Sequence, residues 1–332
     1  MGLLTAIKKR LPTQYAAVTI LEDSCDIKVR RYKNDKEVFA EEKHFSIPSK
    51  ERLSDEVVAY LQRLQAEEEQ TYIALFLNTH GQGVVPSCKK SAYEKFHIDY
   101  HHIKDICVEN RFSVYASDID IKWTEKIFAG TGLDFIFSPF LILEGLRKAS
   151  PHGEGVSLYM LVSKNAMTLM IFADTQLLYG TFVNFAKEED LLASDFEEED
   201  MGTETDEDIF DEIDLDMELE ESEEIADILH DVEEEVTQKA EKDIESVSLK
   251  SRLFGEELRM VKYFDVSLRE FYESDLYESD FITYVRIYDA MPLNPDVLAY
   301  LQEQLLVEID VVPVDIADEV IRLAREEVAE GA

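Results

Sequence analysis

The sequence predicts an α/β protein of two lobes, each a three-strand meander followed by helix-linked strands, with a long acidic insert in the second lobe. Three observations predict it. Two separate stretches, Tyr15–Phe45 and Ser157–Phe185, each contain three apolar runs divided by polar turn pairs, the punctuation of consecutive hairpins. Each stretch is followed, directly or after the insert, by an amphipathic helix and then a buried strand, an order that builds a mixed sheet with helices packed on it. The charge is concentrated in one window: residues 187–245 hold 29 of the 72 Asp and Glu but only 3 lysines. The expected lobes are residues 1–156 and 157–332, the second containing the insert at 187–245.

In the first lobe, "YAAVTILE" and "CDIKVRRY" flank a turn at Asp23-Ser24, and "EVFAEEKHF" follows a turn at Asn34-Asp35. Leu53, Val57, Tyr60, Leu61 and Leu64 then fall on one helical stripe, with Ser49 or Ser54 available as a cap. "TYIALFLN" reads as a buried strand, and Thr79–Glu109 gives no clear pattern. "RFSVYAS" reads as a strand, Ile119–Ala129 as a helix ended by Gly130 and Gly132. Ser138 caps the next helix, with Pro139 at its first position, where a missing N–H is harmless. In the second lobe, "SLYMLVS", "MTLMIFA" and "QLLYGTFVNF" are strands with turns at Lys164-Asn165 and Asp174-Thr175. A helix from about Val247 to Tyr272, the strand "FITYVRIYD", a helix capped by Asn294, the strand "LLVEIDVV" and a helix through Ile316, Val320 and Leu323 complete the chain.

The net charge of −39 argues against nonspecific binding to nucleic acid or anionic lipid, which need clustered Lys and Arg. Outside the insert, 43 acids face 30 bases, the balance of an ordinary mildly acidic fold. Cys25, Cys88 and Cys107 are odd in number, far apart and without a CxxC pair, so reduced thiols in a cytoplasmic protein are expected. The basic start "MGLLTAIKKRLP" is not followed by a secretory hydrophobic region, and no apolar run approaches the roughly 18 residues of a membrane span.

Twice repeated, this element order resembles the actin-like, ribonuclease-H-type fold of actin, sugar kinases and heat-shock ATPases. The stretch "VYASDIDIKWTEKIFAGTGLDFIFSPFLILEGL" is similar to the cytoplasmic actin-like proteins of type IV pilus and type II secretion assembly platforms. In those a strand, a helix and a Gly-Leu lead into a helix before the second lobe; Gly132-Leu133 and Ser138-Pro139 take those places here. Active members carry, in the first turn of each meander, an Asp that holds a metal or its water and a Gly that lets the backbone approach a phosphate. This chain offers Thr19-Ile20-Leu21-Glu22-Asp23 in the first turn, an acid without Gly. The second offers Leu161-Val162-Ser163-Lys164-Asn165, with neither. The resemblance therefore implies a member degenerate at its nucleotide loops, with no catalytic residue, no cofactor and no metal.

Other motifs are weaker. "NTHGQG", Asn78–Gly83, lacks the Lys and helix start of a phosphate loop and reads as a strand-ending turn. His97, Asp99 and His101 would share one face of a strand, with His102 adjacent, but no partner cluster completes a metal site. Trp123, the only tryptophan, is expected to anchor its helix in the core. The insert has the composition of a segment that cannot bury enough apolar surface to order itself. Yet Ile225, Leu229, Val232 and Val236 form a helical stripe within it. These four, with the acidic run Glu197, Glu198, Glu199 and Asp200, are the candidate partner-binding residues, suited to docking on the second lobe or in a partner's basic groove.

The expected function is a non-enzymatic cytoplasmic scaffold of a pilus, secretion or DNA-uptake assembly platform, meeting the membrane through the cytoplasmic part of an inner-membrane component. Two alternatives remain: a nucleotide-dependent actin-like ATPase with unconventional loops, and an acidic regulatory protein that mimics nucleic acid to occupy a basic protein.

Overall fold

The two meanders fold as their turn residues dictate. The computed structural model describes residues 12–68, 70–150, 155–184 and 256–330. In the first meander β1 (Thr13–Ile20), β2 (Ser24–Lys33) and β3 (Lys36–Ser46) are consecutive antiparallel strands. Asn34 and Asp35 turn the chain at φ of 51° and 60°, the left-handed region that Asn and Asp tolerate best among non-glycine residues. In the second, β9 (Val156–Ser163), β10 (Ala166–Ala173) and β11 (Gln176–Asn184) turn at Asn165 and Asp174, again with positive φ.

Helices then carry the chain to parallel strands. Helix α1 (Asp55–Glu67) is capped by Ser54, whose side chain accepts from Val57 N, and leads to β4 (Thr71–Phe76), parallel to β1. β8 (Phe135–Phe137) lies parallel to β4. Helix α4 (Pro139–Ala149), capped by Ser138, enters the second lobe. There α5 (Glu256–Glu273) precedes β12 (Ile282–Asp289), which runs parallel to β9; α6 (Pro295–Leu305), capped by Asn294, precedes β13 (Ile309–Pro313), parallel to β12. Helix α7 (Ile316–Glu330) is last. The sheet orders are β3-β2-β1-β4-β8 and β11-β10-β9-β12-β13. This is one order used twice, the duplicated ribonuclease-H-type sheet of the actin-like fold.

The layers follow from which face each strand residue shows. Along β9, Leu158, Met160 and Val162 pack outward with α5 and α6, while Tyr159 and Leu161 pack inward. Along β1, Ala16 and Val18 pack outward with α1, while Tyr15 and Ala17 pack inward. Between the sheets lie α4 and α7, through Phe140, Leu143, Val320 and Ile321. Both sheets are therefore covered on both faces, and α7, though it follows β13, packs against β1 and β4 of the first sheet.

Between β4 and β8 the chain makes a small antiparallel sheet of β5 (Gln82–Val85), β6 (Ile103–Val108) and β7 (Phe112–Ser117), in the order β5-β7-β6. It carries α2 (Lys90–Lys95) and α3 (Asp118–Ile127). Val84 packs so close to Gly180 of β11 that a Cβ there would strike it. Arg111 donates to Thr175 O at 2.8 Å and to the buried Glu144 at 2.7 Å. Glu144 also receives Arg147, whose guanidinium lies 4.3 Å over the Phe172 ring. The small sheet is thus held to the second lobe as well as the first.

Three expectations change. Thr79–Glu109, which gave no pattern, contains β5, α2 and β6. Cys88 and Cys107 are joined by a disulfide, with Cα atoms 5.4 Å apart, so only Cys25 is a thiol here; the pairing needed β5 and β6, which the sequence did not reveal. The strand expected over "LLVEIDVV" begins only at Ile309, because Leu305 ends α6 and Leu306 takes a left-handed cap at φ 53°. Of the helix expected from Val247, residues 247–255 lie outside the described residues, and α5 is described from Glu256. Replacing the fully buried Phe140 by Ala should remove a ring from the middle layer and cost about 3–5 kcal/mol; chemical denaturation monitored by circular dichroism checks this.

Candidate functional site

The turns that would hold a phosphate face each other across a crevice of about 490 Å³. Thr19 and Leu21 line one side, Ser163 and Lys164 the other, with Asn78 and Met291 at the edges. Neither turn offers a glycine. The β1–β2 turn is tied by Leu21 N donating to Ser24 O at 2.8 Å, and by Ile47 N donating to Asp23 O at 2.9 Å. In the β9–β10 turn, Ser163 Oγ donates to Ala166 O at 3.3 Å. Leu21 and Lys164 line the crevice at the two turns where the resemblance would call for a glycine.

The crevice wall includes Lys28, Glu42 and Asp315. The Lys28 side chain is only 8% exposed. Its Nζ donates to Asp315 Oδ2 at 2.5 Å and Asp318 Oδ2 at 2.7 Å, and lies 3.2 Å from Glu42 Oε1. Asp315 also accepts the Asp318 N–H at 3.1 Å, as a helix cap does. Arg30 adds contacts to Asp318 and Glu42, both at 3.3 Å. Burial pulls the Lys28 ammonium down, but its bonds to Asp315, Asp318 and Glu42 outweigh that and hold it above its ordinary value. Burial likewise pushes Asp315 up, and the Lys28 bond overcomes it, leaving the carboxyl below the usual carboxylate range. The Lys28 bond holds Glu42 low as well.

The loop "NTHGQG" is fastened rather than open. Gln82 Nε2 donates to Leu77 O and Thr79 O, and its Oε1 accepts from Ser138 Oγ at 2.7 Å. Gly81 N donates to Asp120, so this backbone is occupied by protein partners. His97 and His101 do not share a strand face: Tyr100–His102 form a short 3-10 turn capped by Asp99. Among the described residues, no group of three or more His, Cys, Asp or Glu is placed to hold a metal. Nor is any helix among them long and apolar enough to cross a membrane.

Trp123 corrects the sequence reading. It is 43% exposed, and Ile119, one turn earlier, is 73% exposed. The inward positions of this segment belong to Thr124 and Phe128, which leaves Ile119 and Trp123 together on the outer face. Trp123, Lys126 and Ile127 line one side of a second cavity of about 430 Å³, and Arg52, Leu53 and Val58 the other. Lys126 Nζ lies 5.4 Å from the Trp123 ring centre. The i, i+4 pairing of Ile119 with Trp123, opposite Thr124, was the signal available in the sequence. The partner-binding candidates Glu197, Glu198, Glu199, Asp200, Ile225, Leu229, Val232 and Val236 all lie outside the described residues.

The family described as "Domain of unknown function (DUF8341)" matches residues 158–329, and a second, "Domain of unknown function (DUF8569)", matches residues 11–144. The chain belongs to the DUF8341 family, whose match spans just over half of it. No curated protein matches the chain. Among solved structures it is similar to a Bacteroides thetaiotaomicron protein with actin-like ATPase fold and unknown function, at 11% identity and a TM-score of 0.47, covering 96% of this chain and 98% of that one. It is also similar to a PilM-PilN type IV pilus biogenesis complex, at 12% identity and a TM-score of 0.43, covering 93% and 90%. A third is an exopolyphosphatase from Cytophaga hutchinsonii, at 10% identity and a TM-score of 0.34, covering 88% and 70%. The actin-like assignment made above rests on this chain's own strand order.

The Lys28 cluster gives a pH prediction. Carboxylates held low stabilise the fold above their ordinary range and lose that contribution as pH falls through their lowered values. A raised lysine contributes below its ordinary value and is lost only at strongly alkaline pH. The cluster is thus intact at neutrality and weakens in acid. Lys28→Met should cost about 1–2 kcal/mol at pH 7, since the three carboxylates are half in water. Urea denaturation at pH 7 and pH 3.5 should show the wild type losing more stability than the variant.

Proposed function

We propose that the chain is a non-catalytic binding scaffold of actin-like fold, whose partner is the cytoplasmic portion of an inner-membrane component in a pilus, secretion or DNA-uptake assembly. The observation that carries the binding role is the exposed Trp123–Ile119 stripe beside a groove between α3 and the start of α1. A lone tryptophan left at the surface next to a concave site is the kind of anchor that dominates binding energy. Arg52 and Lys126 share the rim with Glu51 and Asp55, and Arg52 pairs with Asp55 at 3.4 Å, so the groove favours a segment with an apolar anchor and mixed charge around it. The absence of catalysis is supported by the glycine-free turns, with Leu21 and Lys164 between them. The membrane-assembly setting comes from the resemblance of residues 114–146, and the cytoplasmic location from the same source.

A second reading, a nucleotide-dependent enzyme, draws on the roomy crevice with Lys164 at its wall. Calorimetry of the full chain with Mg-ATP separates the two. The scaffold gives no binding heat and no Tm shift; micromolar binding would replace this reading with the enzyme. Recovery of membrane assembly components on the tagged full chain, identified by mass spectrometry, tests the partner. Trp123→Ala should weaken their capture by roughly tenfold or more while leaving Tm within a few degrees of the wild type.

A further inference from the structure

We propose that Cys88 and Cys107 form a reversible redox couple that sets how firmly α2 braces the second lobe. The inference is independent of the partner reading. The small sheet has the order β5-β7-β6, so the chain leaving β5 must arch past β7 to reach β6. Residues 86–102, which include α2, form that arch. Cys88 stands at its start and Cys107 near the far end of β6, and their bond closes it.

The arch has other ties. Tyr93 is fully buried, and its hydroxyl donates to Asp105 at 3.0 Å; Tyr100 donates to the same carboxylate at 3.1 Å. Opening the disulfide therefore loosens the arch without unfolding the small sheet. At the outer end of α2, Lys95 Nζ donates to Leu276 O at 3.4 Å. The Phe96 ring lies 5.9 Å from Tyr277, which packs edge-on against Tyr179 of β11 at 4.8 Å. What the disulfide restrains is thus a strut between the small sheet and the second lobe.

Accessibility makes the bond reactive. Cys107 is exposed and Cys88 half-buried, so a reductant's thiolate reaches the Cys107 sulfur first. Attack there forms a mixed disulfide and expels the electron pair onto Cys88, which Lys89 and Lys90 follow in sequence; nearby ammonium groups favour a leaving thiolate. The second thiol of a dithiol reductant then displaces Cys107. Two electrons pass to the protein, both cysteine sulfurs end as thiols, and the reductant ends as a cyclic disulfide. Cys25 takes no part: it is buried, and burial pushes its thiol up to about 12.

The test uses the full chain, titrated with dithiothreitol and read by maleimide mass tags and hydrogen exchange. As oxidised, the native chain takes no tag; reduction adds two, and Cys25 is tagged only after denaturation. Reduction should speed exchange in residues 86–102 and 274–279 by roughly tenfold and lower Tm by roughly 5 °C. Reoxidation with diamide should reverse both. Cys88→Ser/Cys107→Ser should show the reduced pattern and ignore the reductant, while Cys25→Ser should respond like the wild type. Two accessible thiols after diamide treatment would overturn the proposal. So would complete reduction that leaves exchange at 274–279 unchanged. If the double variant fails to fold, the wild-type titration still decides.

Discussion

Through Asp315, Asp318 and Glu42, the Lys28 side chain joins the start of α7 to the first sheet. The chain must return from β13 in the second sheet and lay α7 beneath the first. That path brings two carboxylates of the α7 start to a sheet that already carries Glu42. Three acids would repel one another across this gap, and the buried ammonium of Lys28 reconciles them. It fixes the first turn of α7, and α7 in turn supplies Val320, Ile321 and Ala324 to the layer between the sheets.

The same contact shapes the crevice. Its wall includes that ion cluster, the β1–β2 turn is tied by two backbone bonds, and in the β9–β10 turn the Ser163 hydroxyl donates to Ala166 O. A site for a triphosphate needs open amides and glycine, with charge left over for the ligand. Here the Lys28 ammonium is taken up by Asp315, Asp318 and Glu42. The features that invite a partner lie elsewhere, on the outer face of α3, where a tryptophan and an isoleucine meet solvent beside a groove. In the proposed reading the lobes are a frame and the partner is met on the outer face of α3.

Much of the frame was legible in the sequence because it is locally encoded. Asn34-Asp35, Asn165 and Asp174 mark turns that need a left-handed residue, and Ser54, Ser138 and Asn294 mark helix starts that need a side-chain acceptor. The small sheet was not legible. β5 is four residues long with a glycine inside it, and β6 leaves Ile106 at the surface, which breaks the expected alternation. With those strands unseen, the Cys88–Cys107 pairing could not be inferred either. Trp123 was read by residue type, whereas its exposure is set by Thr124 and Phe128 taking the inward positions. The Lys28 cluster had no local signal at all, since Lys28 and Asp315 are 287 residues apart.

The proposed reading leaves no nucleotide site between the two glycine-free turns. Hydrogen exchange of the full chain, with and without millimolar Mg-ATP, tests this. Identical exchange at residues 19–25 and 161–166 is expected in both conditions. Protection of both turns by the nucleotide would contradict it.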